Sequence, residues 1–152
     1  MPRRRLLLLA ALVLAGLPGC SRTGVIDATG GAAAGGSAPK AAPPARIAHG
    51  QKVDLADYIV PGKTTIFDFT SEGCPPCRAL APALRQLHAT RADLVVVEVD
   101  LNRPGVQGID WRSPVALQYH LQSIPHFKVY GPNGQLVAEG DAASRYVHGL
   151  LR

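Results

Sequence analysis

The segment LVVVEVD at residues 94–100 restricts the fold more than any other stretch of this chain. Its first four residues are all aliphatic, so a strand made from them has no face to offer water and must be covered on both sides. The flanking segments supply the cover. Residues 64–70 (TTIFDFT) are β-branched and aromatic and of strand length. Leu80, Ala83, Leu84 and Leu87 recur at i, i+3, i+4 and i+7, which predicts a helix over residues 74–90 with one apolar stripe. Residues 54–60 suit a short helix, and Ser113 followed by Pro114 reads as the capped start of a helix over residues 113–121. Residues 126–130 and 135–139 flank Gly-Pro-Asn-Gly, a hairpin signal, and Asp141 is placed to cap a last helix through residue 150. Residues 101–112 read as a loop or irregular insertion. The order β-α-β-α-β-β-α implies an α/β fold whose central mixed sheet begins parallel, ends in an antiparallel hairpin and is flanked by helices.

The 152 residues suffice for one such domain, because the front of the chain has a different character. Arg3, Arg4 and Arg5 precede an apolar run at residues 6–17, too short to span a hydrocarbon core comfortably, so residues 1–19 read as an export signal. Leu17-Pro18-Gly19-Cys20 resembles the lipobox of bacterial lipoproteins, which implies cleavage before Cys20 and lipidation of its sulfur. Of residues 21–46, 20 of 26 are Gly, Ala, Pro, Ser or Thr, and such a segment buries too little to fold. Residues 20–46 are therefore expected to be a lipidated tether, and residues 47–152 the folded domain. The formal charge of +5 belongs to the front: from residue 47 onward ten Lys or Arg balance ten Asp or Glu. A neutral domain excludes a reading based on nucleic-acid phosphates.

With Cys20 lipidated, two thiols are left, Cys74 and Cys77. A bridge between them closes almost no loop and constrains the unfolded chain little, so the pair is better suited to chemistry than to stapling. Cys74-Pro75-Pro76-Cys77 lies where a strand gives way to a helix, and both prolines fall in the first turn, where their missing amide hydrogens cost least. Cys74 then sits at the helix N-cap, where the macrodipole favours a thiolate, the form that attacks disulfides. Cys77, one turn inward and more covered, is expected to resolve the mixed disulfide. Two thiolates at a helix start are also a donor pair for copper, with His126 as a third ligand, and this alternative stays open.

Over residues 50–152 the chain resembles the thioredoxin superfamily. Asp68 stands at the offset of that family's buried strand aspartate, Pro82 at that of its helix-kinking proline, and Ile124-Pro125 matches its isoleucine and cis-proline. The resemblance implies that Asp68 moves the proton of Cys77, and that Pro125, with Ile124, His126, Pro75 and Pro76, contacts the substrate. Three departures stand out: Gly73 where thioredoxins usually carry Trp, Pro-Pro between the cysteines, and about ten extra residues before Pro125, including Trp111, the only Trp. The implied protein is a monomeric thiol:disulfide oxidoreductase on the periplasmic side of a bacterial envelope, held by a lipid anchor. It needs no bound cofactor beyond the redox-active Cys74-Cys77 pair and no metal. Its expected partners are exported proteins with disulfides or dithiols and a membrane thiol donor or acceptor that recharges it, as for similar tethered domains in cytochrome c maturation.

Overall fold

The computed structural model describes residues 44–152; the expected signal peptide, the lipidation site Cys20 and the linker as far as residue 43 lie outside the described residues. Five strands form one sheet: β1 (Ala45–Ile47), β2 (Thr64–Thr70), β3 (Leu94–Asp100), β4 (His126–Tyr130) and β5 (Leu136–Glu139). Their order is β1-β3-β2-β4-β5, with β3 parallel to both β1 and β2, and β4 antiparallel to both β2 and β5. The segment that opens on four aliphatic residues is thus an interior strand, as its composition demands.

Side-chain alternation along the strands feeds two cores. Phe67, Phe69, Val97 and Val99 face one side, where Val115 and Ala116 of helix α2 (Pro114–Gln118) and Leu55 of a 3₁₀ helix (Leu55–Tyr58) cover them. Ile66, Val96, Phe127 and Val129 face the other, against Leu84 and Leu87 of helix α1 (Pro75–Thr90) and Ala143 and Val147 of helix α3 (Asp141–Leu150). Phe67, Phe69 and Phe127 are wholly buried, each contributing about 1.5–3 kcal/mol relative to exposure. Among the described residues no helix is long and apolar enough to cross a membrane.

Several boundaries differ from the sequence reading. Ala45 and Arg46 belong to β1 and not to the tether. Arg46 donates from Nη2 and Nε to Asp100 Oδ2 at the end of β3, at 2.9 and 3.2 Å. Helix α2 ends at Gln118 and not at 121, because Tyr119 leaves helical geometry and His120 takes a left-handed φ of 51°. Strand β5 starts one residue late, at Leu136. Helix α3 is preceded by Gly140 and has no side-chain cap, so Asp141 is its first residue and not its N-cap.

Candidate active site

The sheet and α1 converge on the two cysteines. Strand β2 ends at Thr70, and Ser71, Glu72 and Gly73 turn the chain into α1. Cys74 has extended backbone (φ −100°, ψ 107°) and is the N-cap, with Pro75 and Pro76 as the first two helical residues. Since neither proline has an N–H, Cys77 offers the first free amide of the helix, and it donates to Cys74 Sγ at 3.2 Å. The N-cap placement predicted from the spacing is what the structure contains. Pro75 and Pro76 are exposed beside it.

Cys74 and Cys77 form a disulfide with Cα atoms 5.3 Å apart. Both are 1% exposed, which corrects the expectation that Cys77 is the more covered of the two. Two backbone segments flank the cysteine turn. The Ile124 carbonyl oxygen lies 3.9 Å from Cys74 Sγ, just before a cis Ile124-Pro125 bond. On the other flank, the insertion at residues 101–112 comes against Gly73: a side chain there would collide with the Gly108 backbone, its Cα at 2.6 Å from the added Cβ.

Asn102 holds that insertion in place. It accepts from Ser71 Oγ at 2.8 Å and from the Asp110 amide at 3.2 Å, and donates to the carbonyls of Gly108 and Val106 at 2.6 and 3.2 Å. Ser71 Oγ in turn accepts from the Gly73 amide at 3.1 Å. Arg103 closes the loop with a two-pronged pair to Asp110, at 2.7 and 3.1 Å. Trp111 in this segment is 38% exposed. The glycine before Cys74 and the extra residues, noted separately in the sequence, are therefore two sides of one contact.

Behind the disulfide is a cavity of about 280 Å³ lined by Cys77, Asp68, Glu98, Arg78, Arg85 and Arg46, among others. Asp68 is 2% exposed, and its Oδ1 has no hydrogen-bond partner. Burial, reinforced by the nearby Glu98 charge, pushes its pKa up to about 7 from an ordinary 3.8. A carboxyl group beside a cysteine and poised near neutrality is able to exchange a proton with it.

His126 is placed differently. Its ring packs edge-on to Phe69 at 5.7 Å between centroids, and Nε2 points toward Glu139 Oε1 at 3.7 Å, beyond hydrogen-bond reach. Desolvation holds the imidazole below its ordinary pKa. His126 is not among the residues lining the cavity behind Cys77. Among the described residues, no three His, Cys, Asp or Glu side chains are grouped to hold a metal ion. Sequence reasoning missed Ser71, Asn102 and Glu98; Glu98 shares its strand with a second acid, Asp100, and nothing in the sequence alone sets it apart.

A family model described as thioredoxin matches residues 51–147. Thioredoxin-1 of Schizosaccharomyces pombe is 30% identical over 86 residues, 57% of this chain and 75% of that one. The thiol:disulfide interchange protein TxlA homolog of Synechocystis is 29% identical over 90 residues, 57% of this chain, and the chain spans only about half (46%) of that relative's length. The crystal structure of Chlamydomonas reinhardtii thioredoxin f2 superposes with a TM-score of 0.51 at 21% identity, covering 71% of this chain and 93% of that one, a likeness of fold. With a disulfide at the start of α1 and the family match running through sheet and helices alike, the chain belongs to the thioredoxin family.

Proposed function

We propose that this protein is a lipid-anchored thiol:disulfide oxidoreductase on the periplasmic side of the bacterial cell envelope, reducing disulfides of exported proteins. The observation that carries the reading is the arrangement around one bond: the Cys74-Cys77 disulfide sits at a helix N-terminus, with the cis Ile124-Pro125 peptide in front and the Asp68 carboxyl in the cavity behind. The envelope location rests on the apolar leader and the lipobox-like ending at Cys20.

In the reduced protein Cys74 attacks a partner disulfide as the thiolate, stabilised by the Cys77 amide and the helix N-terminus. One partner sulfur leaves as a thiol and a mixed disulfide forms. Cys77 then gives its proton to the Asp68 carboxylate and attacks Cys74 Sγ, so that the Cys74-Cys77 bond forms and the second partner sulfur leaves with the electron pair. Two electrons pass to the partner, and a membrane thiol donor restores the dithiol. Pro125, Ile124, Pro75 and Pro76 form the partner-facing surface, and the electrons reside in the cysteine pair without a further cofactor. The protein works as a monomer, without nucleic acid.

Trapping in cells tests the roles. Cys77→Ser should accumulate mixed disulfides between Cys74 and exported proteins, whereas Cys74→Ser should give neither adducts nor turnover. Equal loss in both without trapped species would refute the assignment. Stoichiometric Cu(I) binding by the reduced full chain, without disulfide turnover, would put the copper-handling alternative in its place.

A further inference from the structure

We propose that Glu98 is a positioning residue for proton transfer at this site: its charge, on the strand beside Asp68, sets the pH range over which Asp68 takes the proton of Cys77. The inference rests on the proton role given to Asp68 above, and adds to it a second acid, found through strand register.

Asp68 and Glu98 are direct partners in the parallel pairing of β2 and β3. Neighbouring strands run about 4.8 Å apart, and partner side chains project to the same face. Both residues line the cavity that Cys77 also lines. Their exposure is graded: Asp68 is 2% exposed, the Glu98 side chain 14%, and the side chain of Arg85, whose Nη1 lies 3.9 Å from Glu98 Oε1, 50%. The buried acid is thus the most deeply placed charge-bearing group of the three.

The other charges around the cavity are engaged elsewhere. Arg46 pairs with Asp100 at 2.9 Å and Glu72 at 3.4 Å, and Arg78 donates to the Glu72 carbonyl at 2.6 Å. No cation is paired with Asp68 among the described residues, and its Oδ1 is unpartnered. The charge set beside it by strand register, that of Glu98, is of the same sign. A carboxylate facing another negative group holds its proton more tightly and, once deprotonated, is the stronger base. Glu98 therefore suits Asp68 to accept a thiol proton near neutral pH, and Arg85 limits that effect by partly offsetting the Glu98 charge.

The test is a carbon-13 NMR titration of Asp side chains in the oxidised full chain, in which neither cysteine titrates. The Asp68 signal is identified by its loss in Asp68→Asn. Glu98→Gln should lower the Asp68 midpoint by about 0.5–2 pH units, the range for a unit charge at an assumed separation of roughly 6 Å and effective dielectric constants of about 80 to 20. Glu98→Lys should lower it further, Glu98→Asp should leave it near the native value, and Arg85→Gln should raise it. The acid limb of the pH-rate profile for reduction of insulin disulfides should move with the midpoint. An unmoved midpoint in Glu98→Gln, with Asp68 still titrating near neutrality, would overturn the inference and leave the role of Asp68 intact. An unchanged pH-rate profile in Asp68→Asn would overturn both. Where Glu98→Gln fails to fold, Glu98→Lys decides in its place: a downward shift supports the inference and no shift overturns it.

Discussion

Replacing Asp68 by Asn removes a buried proton-binding group while keeping its shape, and the result should be a stability gain that depends on pH. The folded-state pKa is about 7 against 3.8 for a free side chain, a difference of about three units. Below pH 4 the acid is protonated in both the folded and the unfolded chain, and its ionisation costs nothing. Between 4 and 7 the unfolded chain releases the proton while the folded chain keeps it, so native stability falls as pH rises. Above 7 the loss is complete. At about 1.4 kcal/mol per unit, the native protein then forgoes about 4 kcal/mol relative to the Asn variant. That is a large part of the 5–15 kcal/mol total typical of a domain. Urea unfolding of the oxidised full chain, followed by circular dichroism at intervals from pH 4 to pH 8, measures the difference. The two proteins should have similar stability at pH 4, since the neutral acid and the amide both leave a polar atom unpartnered, and should diverge to about 4 kcal/mol at pH 8. A gap that stays constant across this range would refute the reasoning.

Two more outcomes follow from the site and from the chain's front end. Gly73→Ala places a methyl group against the Gly108 backbone and should cost about 1–3 kcal/mol, read as a lower urea midpoint; an unchanged midpoint would contradict the packing of the insertion on the active-site turn. Cys20→Ser should release the protein from the membrane fraction while purified material keeps full disulfide turnover, and a variant still wholly membrane-bound would contradict the lipid anchor.

What was legible in the sequence was what local chemistry specifies. The run of aliphatic residues in β3, the stripe of Leu80, Leu84 and Leu87, and the Ser113-Pro114 start of α2 each express a periodicity or a cap, and each lies where its pattern puts it. Cys74 is the clearest instance, because a residue followed by two prolines at a helix start has few other places to be. What was not legible depends on partners far away in the chain. Strand β1 has three residues, only one of them buried, and exists because the edge of β3 and Asp100 receive it. Glu98 looked like an ordinary strand acid until register set it beside Asp68. The Ile124 carbonyl beside Cys74 and the loop packed on Gly73 are further long-range contacts that the C-x-x-C spacing does not encode.

The meeting of Gly73 and Gly108 also bears on how such a chain can change over time. Position 73 has no room for a side chain while the loop stands, and Gly108, at a φ of 77°, is held in a conformation that other residues adopt at a cost. The two positions are therefore expected to be epistatic. A large residue before Cys74 becomes acceptable only after the loop has shortened or moved away, and a shortened loop leaves Gly73 beside an unfilled gap. Lineages should pass between the two arrangements in that order, with the glycine and the longer loop inherited together and lost together.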